Sequence, residues 1–313
     1  MTSTTSTRPL PANRRPGRRR RGRRILVVGL VLLLGLAGAG WAWWRGSIGT
    51  LPLRAHCTVT ALGKSTELSP EQAGNAAVIA AVAVYRGLPG RAATIGIATA
   101  MQESKLVNVD AGDRDSVGLF QQRPSQGWGT RQQIRDPVYA SNAFYDVLVK
   151  VEGYQNLPIT RAAQKVQRSA FPTAYAEHEP EARILASALT GYSPAGLSCV
   201  LPAVDDARGQ AAGPAGLTPR AEAVVRAASH ETGRAGGPEP GSAAAVRFLL
   251  VGRSSTTDGW ALAQWAVARA QALDVVSVET GGKRWDRDRP DRTWTTVPGA
   301  ASAGVVVVRT ADG

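Results

Sequence analysis

The sequence predicts a mainly α-helical domain followed by a small α/β domain, both carried behind one N-terminal transmembrane helix. Three observations lead there. An uncharged apolar run at residues 25–44 follows an arginine-rich start. Apolar residues recur at helical spacing between residues 67 and 200, and beyond residue 217 short β-branched runs alternate with helical ones. At 313 residues and 43 % hydrophobic content, the chain is long enough for two modest domains with cores.

The net charge is +13, but residues 1–24 hold nine arginines and no acid, which leaves about four excess positive charges elsewhere. The basicity is a local tail, and the tail abuts an apolar run, which argues against a nucleic-acid partner. "ILVVGLVLLLGLAGAGWAWW", residues 25–44, matches the roughly 30 Å of a bilayer core at 1.5 Å per residue. Trp41, Trp43 and Trp44 crowd one end, where aromatic rings favour the headgroup zone. The arginines keep the N-terminus cytoplasmic, so the rest of the chain is expected outside. A cleaved signal peptide competes, because Ala37-x-Ala39 offers a cleavage site. The length of the run and its tryptophan belt favour an uncleaved anchor.

Residues 45–66 read as a stem and residues 67–200 as the helical domain. Its first helix is signalled by "SPEQ": Ser69 as N-cap, Pro70 at the first helical position, and Gln72 closing a capping box. A "GLPG" break follows, and a second helix from about Arg91 carries Ala93, Ile95, Ile97, Ala98 and Met101 towards Glu103. "DPVYASNAFYDVLVKV" reads as a third helix, with further helical segments near 160–169 and 178–190. Residues 201–217 have the composition of a linker. In residues 218–313 a helix precedes the strand "VRFLLVG", the helix "GWALAQWAVARAQAL", the strand "DVVSVE" and the run "GVVVVRT".

Only two cysteines exist, Cys57 and Cys199. In an extracytoplasmic chain they suggest one disulfide closing a loop of about 140 residues. Its benefit on the loop-entropy model is roughly 5 kcal/mol. With no CxxC pair or His/Cys cluster, no structural zinc site is expected, and no cofactor is implied.

The chemistry-bearing stretch is "AMQESKLVNVDAGDRDSVGLFQQ", residues 100–122. Glu103 leaves an apolar helix, Gly112 and Gly118 let the following turn approach closely, and Leu119, Phe120 and Gln121 supply an apolar wall and an amide. A carboxyl group between apolar walls disfavours its charged form and holds a proton more readily. Protonating a glycosidic leaving oxygen needs such a group. Against this stands the ordinary case of a solvated helix-terminal glutamate.

Glu103-Ser104 with Gly118 to Gln121, "GLFQ", resembles the Glu-Ser and Gly-Leu-Met-Gln motifs of lytic transglycosylases. "GDRDSVGLFQ" is similar to the corresponding stretch of goose-type lysozymes. "DPVYASNAFYDVL" resembles the Asp-Pro…Asn…Tyr-Leu helix that follows in transglycosylases, and "AAQKVQRSAFPTAY" sits where those enzymes carry Ala-Tyr-Asn. The likeness covers roughly residues 67–200 and extends to membrane-anchored actinobacterial cell-wall proteins with this domain. Two departures are plain: Phe120 replaces methionine, and no Ala-Tyr-Asn triplet is present.

The resemblance implies a lysozyme-like fold acting on the MurNAc–GlcNAc glycan of peptidoglycan. Glu103 would be the catalytic acid and Ser104 would help orient it. Gln121 and the backbone around Gly118 and Phe120 would hold the sugar. Tyr175, or Gln167 and Ser169, would line the groove opposite. Asp113 matches the Gly-Asp-Arg aspartate of goose-type lysozymes, as a second catalytic carboxylate positioning a water. Arg123 stands where those enzymes can carry a further acid, so the single-carboxylate transglycosylase route is slightly favoured.

The simpler reading of Asp110, Asp113 and Asp115 is a set of turn-forming side chains, and their spacing does not fit an EF-hand. Trp128 suits sugar stacking or packing equally. The last domain faintly resembles the D-Ala-D-Ala-peptidase-like domain that accompanies the lysozyme-like unit in relatives. Its corresponding strands carry no histidine, which implies a degenerate domain that binds or braces. The sequence therefore points to a membrane-anchored enzyme cleaving peptidoglycan strands. The alternative is a non-catalytic peptidoglycan-binding or scaffold membrane protein with the same fold.

Overall fold

A hairpin precedes the first helix. In "HCTVTALGKSTEL" alternate residues Cys57, Val59 and Ala61 turn inward and are buried, while Leu62 and Gly63 both take left-handed φ values of 55° and 72°. Two consecutive residues with φ > 0 form the tight turn whose twist suits a two-residue hairpin. Strands β1 (His56–Ala61) and β2 (Lys64–Leu68) pair across it, and β3 (Leu197–Val200) adds to the other edge, in the order β2-β1-β3. The stretch read as the last part of a stem is thus already sheet. The computed structural model describes residues 41, 54–169, 173–204, 209–252, 254–289 and 293–311. The expected basic tail and all of the expected transmembrane helix except Trp41 lie outside these. Among the described residues no helix is long and apolar enough to cross a membrane.

Cys57 and Cys199 are directly opposite one another in the β1–β3 ladder and are bonded. The disulfide ties together the two ends of the helical segment, 142 residues apart.

Helix α1 (Pro70–Tyr85) starts as its sequence dictates. The Ser69 hydroxyl accepts from the Gln72 backbone N–H, and the Gln72 side chain returns the bond to the Ser69 N–H. Residues 73–83 of α1 are buried without a break. A helix apolar all round has no solvent face and must be enclosed. The enclosing elements are α2 (Gly90–Ser104), α4 (Pro137–Leu148), α6 (Glu179–Leu189), α7 (Pro219–Thr232) and α8 (Ser255–Ala268). Between α2 and α4 lie a 3₁₀ turn, Pro124–Gln126, and a short helix α3 (Arg131–Ile134); α5 (Ile159–Gln167) precedes a second 3₁₀ turn, Ala174–His178. The α1–α2–α4 junction depends on Gly96. A β-carbon there would stand 2.7 Å from the Tyr145 hydroxyl, which crosses that space to donate to the Ile79 carbonyl at 3.0 Å.

The C-terminal segment departs from the expected α/β class. Its six strands are β4 (Gly237–Glu239), β5 (Ser242–Leu249), β6 (Val275–Thr280), β7 (Lys283–Asp286), β8 (Thr295–Thr296) and β9 (Val305–Thr310). They lie in the order β4-β5-β9-β6-β7-β8, and every pairing is antiparallel. The segment is therefore α+β. The reason is the last strand. β5, α8 and β6 form a crossover whose strands run parallel to each other, but β9 inserts between them and runs against both.

The segments before and after the expected 201–217 linker pack into one compact unit, Leu53–Gly313. Leu201 and Leu217 are buried, and Arg287 donates to the Pro202 carbonyl at 2.7 Å. Gln264 of α8 is the polar pin of the junction. Its amide nitrogen donates to the Ala188 and Ser193 carbonyls at 2.7 and 3.2 Å, and its oxygen accepts from the Leu197 N–H at 2.8 Å. A fully buried amide satisfied on both sides fixes register, because a shift would leave it unpaired.

Replacing Cys57 and Cys199 by alanine is expected to cost about 3–5 kcal/mol in urea unfolding, as closure of so long a loop predicts. Reductant should destabilise the wild type and leave the double variant unchanged.

Candidate active site

Glu103 is the penultimate residue of α2, which ends at Lys105 in the left-handed conformation (φ 56°). Leu106 follows with φ 59°. Two successive left-handed residues turn the chain sharply away, so the Glu103 side chain stands at the mouth of the helix, half-buried. Its partner is Tyr175, from the Ala174–His178 turn 72 residues on, whose hydroxyl donates to Glu103 Oε1 at 2.7 Å. Tyr175 is fully buried. Burial pushes its phenol above the ordinary tyrosine range and the bond to Glu103 adds to that, while a hydrogen bond with Ser169 works the other way. The phenol thus remains a donor throughout the neutral range.

Ser104 reaches the loop rather than the carboxylate. Its hydroxyl lies 3.0 Å from the Ala100 carbonyl and 2.8 Å from the Leu119 carbonyl, and so staples the end of α2 to the Gly118–Gln121 segment. The amide of Gln167 donates to the Phe120 carbonyl at 2.7 Å from the other side. Two consecutive carbonyls of the loop are thereby fixed by side chains from α2 and α5. Gly118 has φ 77°, and a β-carbon there would stand 2.7 Å from the Ile134 carbonyl, so only glycine fits. Gln121 is also left-handed (φ 48°), and its side chain folds over the turn to accept from Ser116 Oγ at 2.9 Å and donate to the Gly118 carbonyl at 3.2 Å. It occupies the space a side chain at Gly112 would need.

The sequence-proposed residues thus fall into three groups. Glu103 and Tyr175 are in direct contact; Ser104, Gly118 and Gln121 build the loop beside them. Phe120 turns its ring into the core, fully buried and stacked on Phe144 with centroids 4.7 Å apart. Its contribution to the site is therefore its backbone. Asp113 sits at the tip of the turn with its carboxylate 94 % exposed and Arg114 3.9 Å away. Among the described residues no hydrogen bond or ion pair joins it to Glu103. Of Gln167 and Ser169, weighed in the sequence as alternatives to Tyr175, Ser169 hydrogen-bonds Tyr175, while Gln167 supports the Phe120 carbonyl. Asp115, read in the sequence only as a turn-forming side chain, accepts from Arg123 Nε at 2.6 Å and from the Ser125 N–H at 2.8 Å. These bonds hold its carboxyl far below the usual carboxylate range. An eight-residue spacing across an irregular loop carries no periodic signal.

Beside the loop lies a groove of about 550 Å³ lined by Trp128, Val147, Val166, Gln167 and Arg168. It shares Gln167 with the support of Phe120. An apolar wall, an aromatic ring, an amide and a guanidinium together can both pack and orient a ligand.

No protein-family model matches the chain, and no curated protein sequence matches it.

The Asp115 contacts carry a pH signature. A carboxyl depressed in the folded state stabilises fully above its unfolded range, near 4, and loses that contribution as pH falls below it. The stability difference between wild type and Asp115→Asn should be largest near neutral pH and shrink steadily between pH 4 and pH 2, as read by urea unfolding.

Proposed function

We propose that the chain cleaves the glycan strands of peptidoglycan at the MurNAc–GlcNAc bond, with Glu103 as general acid and then base. The observation that carries this reading is the Tyr175–Glu103 hydrogen bond at the mouth of an apolar helix. It holds one carboxylate oxygen, and the other, which takes no hydrogen bond among the described residues, is suited to a ligand. The immobilised Gly118–Gln121 backbone alongside supplies a rigid edge against which a sugar ring can be seated.

In the reaction, Glu103 gives its proton to the glycosidic oxygen as the bond from the anomeric carbon breaks. The 6-hydroxyl of the same MurNAc then attacks that carbon, and Glu103 takes the hydroxyl proton. One carboxyl group returns to its starting state, no water is consumed, and the product has a 1,6-anhydro end. The outward position of Asp113 favours this route over a two-carboxylate hydrolysis, which needs a second acid facing the cleaved bond. Tyr175 keeps Glu103 oriented through both proton transfers.

The apolar run at residues 25–44 and the nine preceding arginines support a single-pass anchor, N-terminus cytoplasmic and catalytic region outside. The disulfide agrees with an oxidising compartment.

The test is to incubate the full chain, purified in detergent, with isolated peptidoglycan and identify released fragments by mass spectrometry. Wild type should release anhydro-ended fragments. Glu103→Gln should lose at least about 10³-fold in rate, and Tyr175→Phe about tenfold with thermal unfolding little changed. Reducing ends would replace the anhydro route by hydrolysis. Intact strands, bound equally by folded wild type and Glu103→Gln, would make the chain a peptidoglycan receptor.

A further inference from the structure

The groove beside the Gly118–Gln121 loop contains a cation that has no counter-charge among the described residues. Arg168 is the C-cap of α5, held in the left-handed conformation at φ 53° and ψ 38°. A β-substituted residue in that region is disfavoured by about 1 kcal/mol or more, so its position is imposed by its neighbours. On one side Gln167 is fixed to the Phe120 carbonyl. On the other, Ser169 and Gln164 are bonded twice: the Gln164 amide donates to the Ser169 carbonyl at 2.8 Å, and the Ser169 hydroxyl donates back at 3.2 Å. Between these clamps the Arg168 side chain is exposed at the groove and makes no ion pair or side-chain hydrogen bond among the described residues. The arginines of the neighbouring loop are all engaged: Arg114 with Asp113, Arg123 with Asp115, and Arg135 with Asp110. The Trp128 ring and the apolar side chains of Val147 and Val166 line the same groove.

We infer that this groove is a subsite for an anionic amino sugar, in which Trp128 packs on the pyranose face and Arg168 pairs with a carboxylate carried on the glycan strand. The inference rests on the glycan-strand reading of the site. It adds that strand charge is recognised, and by which residue. Guanidinium geometry suits two parallel hydrogen bonds to a carboxylate, and a half-enclosed aromatic and apolar groove strengthens them over their worth in open water. Strands offer two sources of that carboxylate, the lactyl group of MurNAc and the acids of an attached peptide. Arg168 is a specificity residue here, since Glu103 and Tyr175 do the chemistry.

The experiment measures binding in the full chain carrying Glu103→Gln, so that cleavage plays no part. Four ligands are titrated: soluble glycan strands stripped of peptide, strands bearing peptide, and each of these with carboxyl groups converted to methylamides. The expected result is about tenfold tighter binding of a free-carboxyl strand than of its blocked form, the size of one charge-assisted pair. Preference confined to stripped strands identifies the lactyl carboxylate, and preference confined to peptide-bearing strands identifies the peptide. Arg168→Gln should abolish the preference and bind all strands at the blocked-strand affinity. Arg168→Lys should restore part of it, and Trp128→Ala should weaken all four ligands alike. Equal binding of free and blocked strands, a preference untouched by Arg168→Gln, or no binding by folded protein overturns the inference. Cleavage by wild type without a carboxylate preference removes the subsite and leaves the glycosidase. Preference without cleavage removes the glycosidase and leaves the subsite.

Discussion

Everything in the compact unit is organised by the burial of α1. Eleven consecutive residues, Ala73 to Ala83, are enclosed, and seven of them are alanine or glycine. Small side chains on every face let neighbouring helices approach closely, and they also mean that no single face supplies enough apolar area alone. The helix is stable only when it is surrounded. That requirement recruits α8 from the C-terminal segment as well as α2, α4 and α6 from the helical one. The polar pin Gln264 and the buried Glu231, which accepts from Trp265 and Arg269, make this recruitment specific. The C-terminal segment thus completes the core of the helical region.

The candidate site follows from the same constraint. Because α2 packs along α1 with residues 92–101 all buried, Glu103 is among the first side chains of that helix released to the surface. The loop after it must run past the end of the helix with few ladder bonds of its own. Its carbonyls therefore take partners from side chains: Ser104 at Leu119, Gln167 and Gln121 at Phe120 and Gly118. Those bonds tie the loop to α2 and α5 beside the Glu103 carboxyl group, which gives the proposed site a fixed edge. Phe120 serves the same end by stacking on Phe144, so the loop is anchored from below as well as from its sides.

How much of this was legible in the sequence depended on range. Helix starts were legible wherever a local chemical signal marked them, as Ser69, Pro70 and Gln72 did for α1 and Asp136 with Pro137 did for α4. The hairpin at His56–Leu68 was not, because its threonines and short alternation resemble a polar stem until β3 supplies the second neighbour. The class of the C-terminal segment was misread because a strand–helix–strand order says nothing of where a later strand inserts. In the site, Glu103 and its loop could be picked out by composition and resemblance. The pairing of Glu103 with Tyr175 spans 72 residues and follows from how α2, α5 and the Ala174–His178 turn pack, which no local pattern encodes.

The electrostatics of the turn set Glu103 apart from its neighbouring acids. Asp110, Asp113 and Asp115 sit within six residues of one another, and such a cluster would raise the cost of any further negative charge nearby. Each is instead matched by an arginine of the same region, Arg135, Arg114 and Arg123. The turn is close to neutral as a body, and Asp115 is committed to its shape. Among the described residues Glu103 has no such arginine. Its hydrogen-bond partner is a neutral phenol kept neutral by burial. A carboxyl group oriented by a neutral donor can lose and regain a proton without breaking an ion pair, whereas one locked to arginine is held in its charged form. The contrast between Asp115 with its arginine and Glu103 with its tyrosine separates the acid that builds the loop from the acid the loop presents.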